Sequence, residues 1–361
     1  MDTGRIEKFV DRQWEDEIVP QLIEYIRIPN KSPMFDADWV ANGYMEQAVD
    51  LMTTWARAQN IPGMQLDVVR LEGRTPLIFI EIPAANGGSD EDCVLLYGHL
   101  DKQPEMTGWD ADLGPWTPVL RDGKLYGRGG ADDGYAIYGS LTAIRSLHEQ
   151  GLPHARCVVL IEACEESGSY DLPAYVDHLA ARIGKPSLVV CLDSGCGNYD
   201  QLWLTTSLRG LVRMDVEVRT LRHGVHSGMF GGPVLDAVVL LSRLIATLHD
   251  ADGAVAVPGL EPRQTAGLDY PEDVFRADAG VLDGVTLAGR GPVADRLWNA
   301  PALSIIGIDA PSVAESSNTI QPAARAKFSL RLGPGMDPAE AFEALRTHLE
   351  AQSAAVLGAE I

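Results

Sequence analysis

Positive charge is what this chain is short of. It carries 29 lysines and arginines against 51 aspartates and glutamates, for a formal net charge of -22. Nucleic acids and anionic lipid surfaces are held by clustered basic side chains, so neither is expected as the main partner. Cysteine is scarce too: five in 361 residues, an odd number, with no C-x-x-C pair. That excludes a disulfide framework. Most of Cys93, Cys157, Cys164, Cys191 and Cys196 sit in apolar strand-like runs, which points to buried, reduced thiols in a cytoplasmic protein. No apolar run approaches the roughly 18 residues of a membrane span. The opening MDTGRIEKFVDRQWEDEIVPQ has acidic residues and no apolar core, unlike a signal or transit peptide. Also missing are a G-x-S-x-G nucleophile elbow, a Walker A loop and a G-x-G-x-x-G turn after a strand. Serine-nucleophile, nucleotide and dinucleotide chemistry are disfavoured by those absences.

What the chain does have is a repeated event. Short apolar runs end abruptly in charged or metal-binding side chains. Cys93-Val-Leu-Leu-Tyr-Gly-His-Leu-Asp101 delivers His99 and Asp101, and Val158-Val-Leu-Ile-Glu-Ala-Cys-Glu-Glu166 delivers Glu165 and Glu166. Leu188 to Leu192 ends at Asp193, and Gly127-Arg-Gly-Gly-Ala-Asp-Asp133 brings Asp132 and Asp133. Apolar runs of this length read as buried strands. In open α/β sheets, ligands bind at the carboxyl ends of the strands.

Around these runs the pattern predicts a helix from about 5 to 28, closed by Pro29, and a second from about Asp38 to Gln59. Strands follow at Gln65–Leu71, Leu77–Ile82 and Val94–Leu100, with a hairpin over Leu120–Arg128 turning at Asp122-Gly123. Asp132–Glu149 reads as a helix with Asp132 at its start, packed closely through Ala136, Gly139 and Ala143. Then come Cys157–Ala163 (strand), Asp171–Ile183 (helix) and Leu188–Leu192 (strand). This is βαβ order, so the expected class is α/β with a mainly parallel sheet. From Gln201 onwards Leu202–Thr206, Val212–Arg219, Leu303–Ile308 and Lys327–Leu332 read as strands, and Val234–Leu248 and Pro338–Gln352 as helices. Residues 258–296 read as a loop-rich excursion with one helix. A smaller α+β domain is expected over 206–361, behind a first domain over 1–205.

Each motif also has an ordinary structural reading: a polar strand end for His99 and Asp101, a helix cap for Asp132, a solvated loop for Glu165 and Glu166. Taken together they offer nitrogen and oxygen ligands and no fitting thiolate. Zinc accepts such a set, and manganese or cobalt could substitute. The carboxylates suffice for two ions bridged by one of them, with a free glutamate as proton acceptor.

The stretches GHLDKQPE, GWDADLGPWTPVLRDGKLYGRGGADD, EACEESGSYDL, CLDSG, HSGMFGG and SSNTIQPAARAKFSLRLGP, spread over residues 95–334, resemble the M20 metallopeptidases, in particular their dipeptidase branch. That resemblance implies a di-zinc peptidase domain with a lid and dimerisation domain. It implies His99, Asp132, Glu166 and Asp193 as metal ligands, Asp132 bridging, and Asp101 as the carboxylate that orients His99. Glu165 is then the general base, and His226 a lid histidine that steadies the oxyanion from a dimer partner. Asn318 and Arg331 fall in the region gripping the substrate's carboxylate. The expected reaction is hydrolysis of dipeptides or short peptides by a metal-activated water, in a cytoplasmic homodimer. Deacylation or desuccinylation of N-acyl amino acids is the alternative on the same fold. Two departures stand out. Gly134-Tyr135 replaces the family's Lys-Gly, and the family's last zinc ligand, a C-terminal histidine, has no match before Ile361. The resemblance therefore implies that the C-terminal catalytic segment is absent, and a truncated, inactive chain that binds metal or dimerises is a further alternative.

Overall fold

The run Cys157-Val158-Val159-Leu160-Ile161 is apolar on both faces because both faces are covered. Cys157, Val159 and Ile161 belong to one hydrophobic core, and Val158 and Leu160 to another. In the computed structural model, which describes residues 1–199 and 201–357, this run lies in the middle of a sheet. The chain divides into two units, Met1–Trp203 and Leu204–Ile361.

The first unit opens with α1 (Thr3–Gln13) and α2 (Val19–Arg27), joined through a π turn at Trp14–Ile18. The expected helix from Asp38 to Gln59 is two helices, α3 (Trp39–Asn42) and α4 (Tyr44–Ala58). Gly43, at φ +69°, breaks them with a left-handed residue that a helix cannot contain. Then follow β1 (Gln65–Val69), β2 (Leu77–Ile82), β3 (Cys93–His99), the hairpin β4 (Val119–Arg121) and β5 (Lys124–Tyr126), α5 (Ala136–His148), β6 (Arg156–Glu162), α6 (Leu172–Ile183) and β7 (Leu188–Cys191). The hairpin turns on Asp122 and Gly123, both at positive φ, as its sequence predicts.

The sheet order is β1-β2-β6-β3-β7. β3 pairs in parallel with β6 and β7, while β2 is antiparallel to both β1 and β6. Four strands therefore run one way and β2 alone runs against them, the mixed but mainly parallel sheet of an α/β fold. Residues of α2, α4 and α5 (Leu22, Tyr25, Val49, Met52, Ile137, Leu141) fill the core on one face, and Tyr175, Leu179 and Ile183 of α6 that on the other. The edge strand β7 leaves Leu188 and Val189 more than half exposed.

The second unit contains β8 (Gly210–Arg219), β9 (Val225–His226), α7 (Ser227–Phe230), α8 (Ala237–Ala246), α9 (Glu272–Asp278), β10 (Ala302–Asp309), β11 (Thr319–Ile320), β12 (Ala323–Leu332) and α10 (Pro338–Leu357). β10, β12 and β8 form an antiparallel sheet. β8 alternates strictly: Val212, Met214, Val216 and Val218 are buried, while Arg213, Asp215, Glu217 and Arg219 are exposed. α8 and α10 cover the apolar face through Leu240, Leu241, Leu244, Leu345 and Leu349. The expected strand at Leu202–Thr206 is irregular backbone with Leu202 and Leu204 exposed, because it has no strand beside it among the described residues. No helix of the described residues is long and apolar enough to cross a membrane.

Candidate metal centre

Parallel pairing brings the charged strand ends to one edge. β3 and β6 pair in register from Cys93 opposite Arg156 to His99 opposite Glu162. β3 therefore ends level with Glu162, three residues before the Glu165–Ser167 turn, and β7 runs parallel beside it and ends just before Asp193. His99, itself completely buried, is the hub. Its Nε2 lies 3.1 Å from Asp132 Oδ1, 3.8 Å from Asp193 Oδ2 and 3.9 Å from Glu165 Oε2. Two overlapping trios could each hold a cation: His99, Asp132 and Glu166, and His99, Glu165 and Asp193. Their ligand atoms lie within 4.8 Å of one another in each trio.

Asp132 is not at a helix start. α5 begins at Ala136, and Asp132 and Asp133 lie in a preceding turn with non-helical dihedrals and a cis peptide between them. The turn swings Asp132 towards His99 and sends Asp133 inward, where its Oδ2 accepts from the His99 backbone N–H at 3.2 Å. Glycine is required here. A Cβ on Gly98 would overlap the Ala136 methyl and sit 2.6 Å from Asp133 Oδ2. Ala143, expected at the packed face of α5, is exposed instead.

Asp101 meets His99 through its main-chain oxygen as well as its carboxylate. His99 Nδ1 is 3.0 Å from the Asp101 main-chain oxygen and 3.5 Å from Oδ1. The carboxylate is also engaged elsewhere: Oδ1 accepts from the Glu165 N–H at 3.1 Å and Oδ2 from the Glu166 N–H at 3.0 Å. One buried side chain thus holds the glutamate turn against the end of β3. Gln103, which the sequence reading did not single out, donates to Glu166 Oε2. Its only signal was its place two residues after Asp101.

The electrostatics are those of crowded acids. Burial and neighbouring carboxylates push Glu166 up to about 7 and Asp133 up to about 8. Glu165 and Asp193 are raised for the same reasons, burial first. Asp132 is held below its ordinary value, chiefly by its hydrogen bond to His99. Burial alone would lower the His99 pKa, but hydrogen bonds to Asp101 and Asp132 outweigh it and lift it to about 12. Such a set is poised to exchange protons for a cation. The buried Glu166 Oε1 has no hydrogen-bond partner, as a coordinating oxygen would have none. The donor chemistry, one imidazole and several carboxylates, fits a divalent ion. The thiols do not contribute: Cys164 is buried and its pKa is raised to about 12 by burial. Cys191, on the edge strand β7, and Cys196, in the irregular backbone after it, are exposed, contrary to the expectation of buried thiols.

The remaining expected site residues lie in the second unit. His226 is exposed at the end of β9, where its Nδ1 accepts from the Gly228 N–H at 3.1 Å. Asn318 is its neighbour, accepting from the Ser227 N–H at 2.8 Å through its main-chain oxygen. Arg331 is exposed on β12. Burial and the charge of Arg331 hold the Arg209 pKa below its ordinary value. No ion pair to either arginine occurs among the described residues.

A family model described as peptidase family M20/M25/M40 matches residues 95–356. The cysteinylglycine-S-conjugate dipeptidase of Corynebacterium striatum is 31% identical over 307 residues, covering 83% of this chain and 66% of that protein. The beta-Ala-His dipeptidase of Mus musculus is 28% identical over 296 residues, covering 76% of this chain and 58% of that one. This chain thus spans about two thirds or less of the length of these relatives. The fold is that of human carnosine dipeptidase 1, with a TM-score of 0.69, 24% identity, and coverage of 98% of this chain and 77% of that structure. With nearly three quarters of its length matched, including every strand end that carries a candidate ligand, the chain belongs to peptidase family M20/M25/M40.

Proposed function

We propose that this chain hydrolyses the peptide bond of dipeptides or short peptides at a two-ion centre. The convergence of Asp132, Glu165, Glu166 and Asp193 on His99 carries the reading. His99, Asp132, Glu166 and Asp193 would hold the metal, with Asp132 shared. Zinc is the preferred ion, and manganese or cobalt suits the same donors. A bound ion of this kind polarises a carbonyl and lowers the pKa of a water towards about 7. Glu165 is assigned as the base. It takes a proton from the attacking water and returns it to the leaving amine, and its raised pKa suits both transfers. Asp101 keeps Glu165 and Glu166 in place through the two backbone hydrogen bonds. His226 is assigned to the developing oxyanion, and Asn318 and Arg331 to the substrate's carboxylate. An arginine that faces another arginine without an acidic partner supports that use of Arg331. The second unit is read as a lid through which two copies pair, and the free thiols fit the reducing cytoplasm.

The names of the dipeptidase relatives favour a peptide over an N-acyl amino acid. Zinc-loaded protein assayed against dipeptides and N-acyl amino acids separates the two, and hydrolysis of only the acyl compounds would overturn the peptide reading. Glu165→Ala should keep its metal and lose turnover by several orders of magnitude. Near-normal hydrolysis by that variant would end the base assignment. A second reading is a chain that binds metal and dimerises without turnover. Its mark would be full metal content with no hydrolysis of either substrate class.

A further inference from the structure

A second cluster of metal-binding side chains lies where α5 hands over to β6. His148 closes the last turn of α5. Gly151, at φ +62°, turns the chain back, and its N–H bonds to the His148 carbonyl at 3.0 Å. His154 is then pinned by two backbone hydrogen bonds to Ala85, at 3.2 and 3.3 Å. The result sets the two imidazoles face to edge, centroids 4.8 Å apart, with Nε2 to Nε2 at 2.9 Å.

The tautomer of His154 follows from its other nitrogen. Nδ1 lies 2.7 Å from the Ala155 main-chain oxygen, which can only accept. Nδ1 therefore carries the proton, and the Nε2 lone pair faces His148. This is the arrangement of a metal-ligating histidine, whose second nitrogen donates to a carbonyl. Burial, and then His154, hold the His148 pKa below its ordinary value, so its imidazole is neutral at pH 7. Two imidazole nitrogens at about 2.0–2.1 Å from one ion lie roughly 2.9 Å apart at a right-angled centre and about 3.4 Å apart at a tetrahedral one. The observed separation is that of a hydrogen bond, and it already equals the right-angled bite that suits tetragonal Cu²⁺ or Ni²⁺. His154 is buried while His148 is only half-buried, so solvent reaches the pair from the His148 side. Among the described residues no third ligating side chain joins them, which leaves the other positions to water.

We propose that His148 and His154 form a separate binding site for a tetragonal transition-metal ion, taking Cu²⁺ or Ni²⁺ between their Nε2 atoms as His148 moves its proton from Nε2 to Nδ1. The site is independent of the carboxylate centre, which holds a single histidine. The test is Cu²⁺ titration of the full chain followed by electron paramagnetic resonance, with His148→Gln as the variant. Glutamine keeps a hydrogen-bond donor for His154 Nε2, and circular dichroism checks that the fold survives. Wild-type protein should show a copper signal split by two imidazole nitrogens, and the variant should lose that signal while keeping any single-imidazole copper at His99. Asp132→Ala should keep the two-nitrogen signal. A two-imidazole signal that persists in His148→Gln, or its absence from wild type, overturns the proposal.

Discussion

Acids that repel one another are stabilised by protons when no cation is present. Glu166 rises from an ordinary 4.5 to about 7, and Asp133 from 3.8 to about 8. In both cases the folded state binds the proton more tightly than the unfolded chain, so stability falls as pH rises from each ordinary value to the raised one. His99, raised from 6.5 to about 12, acts in the same direction above pH 6.5. His148, whose pKa is lowered, opposes the trend only below 6.5. Metal-free protein should therefore melt at progressively lower temperature from about pH 5 to pH 8. Zinc should stabilise it more at pH 8 than at pH 5, because the ion takes the place of protons. Melting curves with chelator and with zinc across that range are the check; a metal-free melting temperature that rises with pH would contradict it. Asp132→Ala removes the carboxylate closest to His99 Nε2, and zinc content per chain should fall to near zero. These candidate ligands were legible because His99, Glu165, Glu166 and Asp193 follow apolar runs and Asp132 follows a glycine-rich one. The division of labour within Asp101 was not. Whether a carboxylate or its own carbonyl meets a ring nitrogen depends on side-chain rotation, which residue spacing does not encode.

Elements position the centre through close contact, and β3 against α5 is one case. Gly98 lies in β3 immediately before His99, and its missing side chain admits both the Ala136 methyl and the Asp133 carboxylate. Gly98→Ala should cost about 1–3 kcal/mol, the usual penalty for overpacking a core. It should also weaken metal retention, since α5 and the Asp132–Asp133 turn must move away together. A urea midpoint and a zinc measurement on the same variant test both halves, and unchanged values in both would show that the contact can relax freely. At this scale the strands of the first unit were readable to within a residue or two, because β3 and β6 are apolar throughout and have the length of buried strands. Two features escaped. Gly43 splits a helix whose periodicity runs on through it, and Asp132 leaves the helix because its turn serves His99 rather than α5. In both places a local requirement overrides a periodic pattern, and periodicity was the signal being read.

Among the described residues the hydrophobic cores of the two units share no residue: the first unit has one on each face of the sheet around β3 and β6, and the second has one against β8 and β12. All six residues of the acidic centre and its anchor, His99, Asp101, Asp132, Glu165, Glu166 and Asp193, fall in Met1–Trp203. An ion that binds only the folded first unit stabilises that unit by mass action, by about 2.7 kcal/mol at a free concentration one hundred times its Kd. Calorimetry should accordingly resolve two transitions, of which zinc raises one. Leu345 is fully buried in α10 of the second unit. Leu345→Ala should remove about 2–5 kcal/mol and lower the other transition, leaving the zinc-sensitive one in place. If the substitution and the ion instead move a single common transition, the two units unfold as one, and the metal centre depends on the second core as much as on its own.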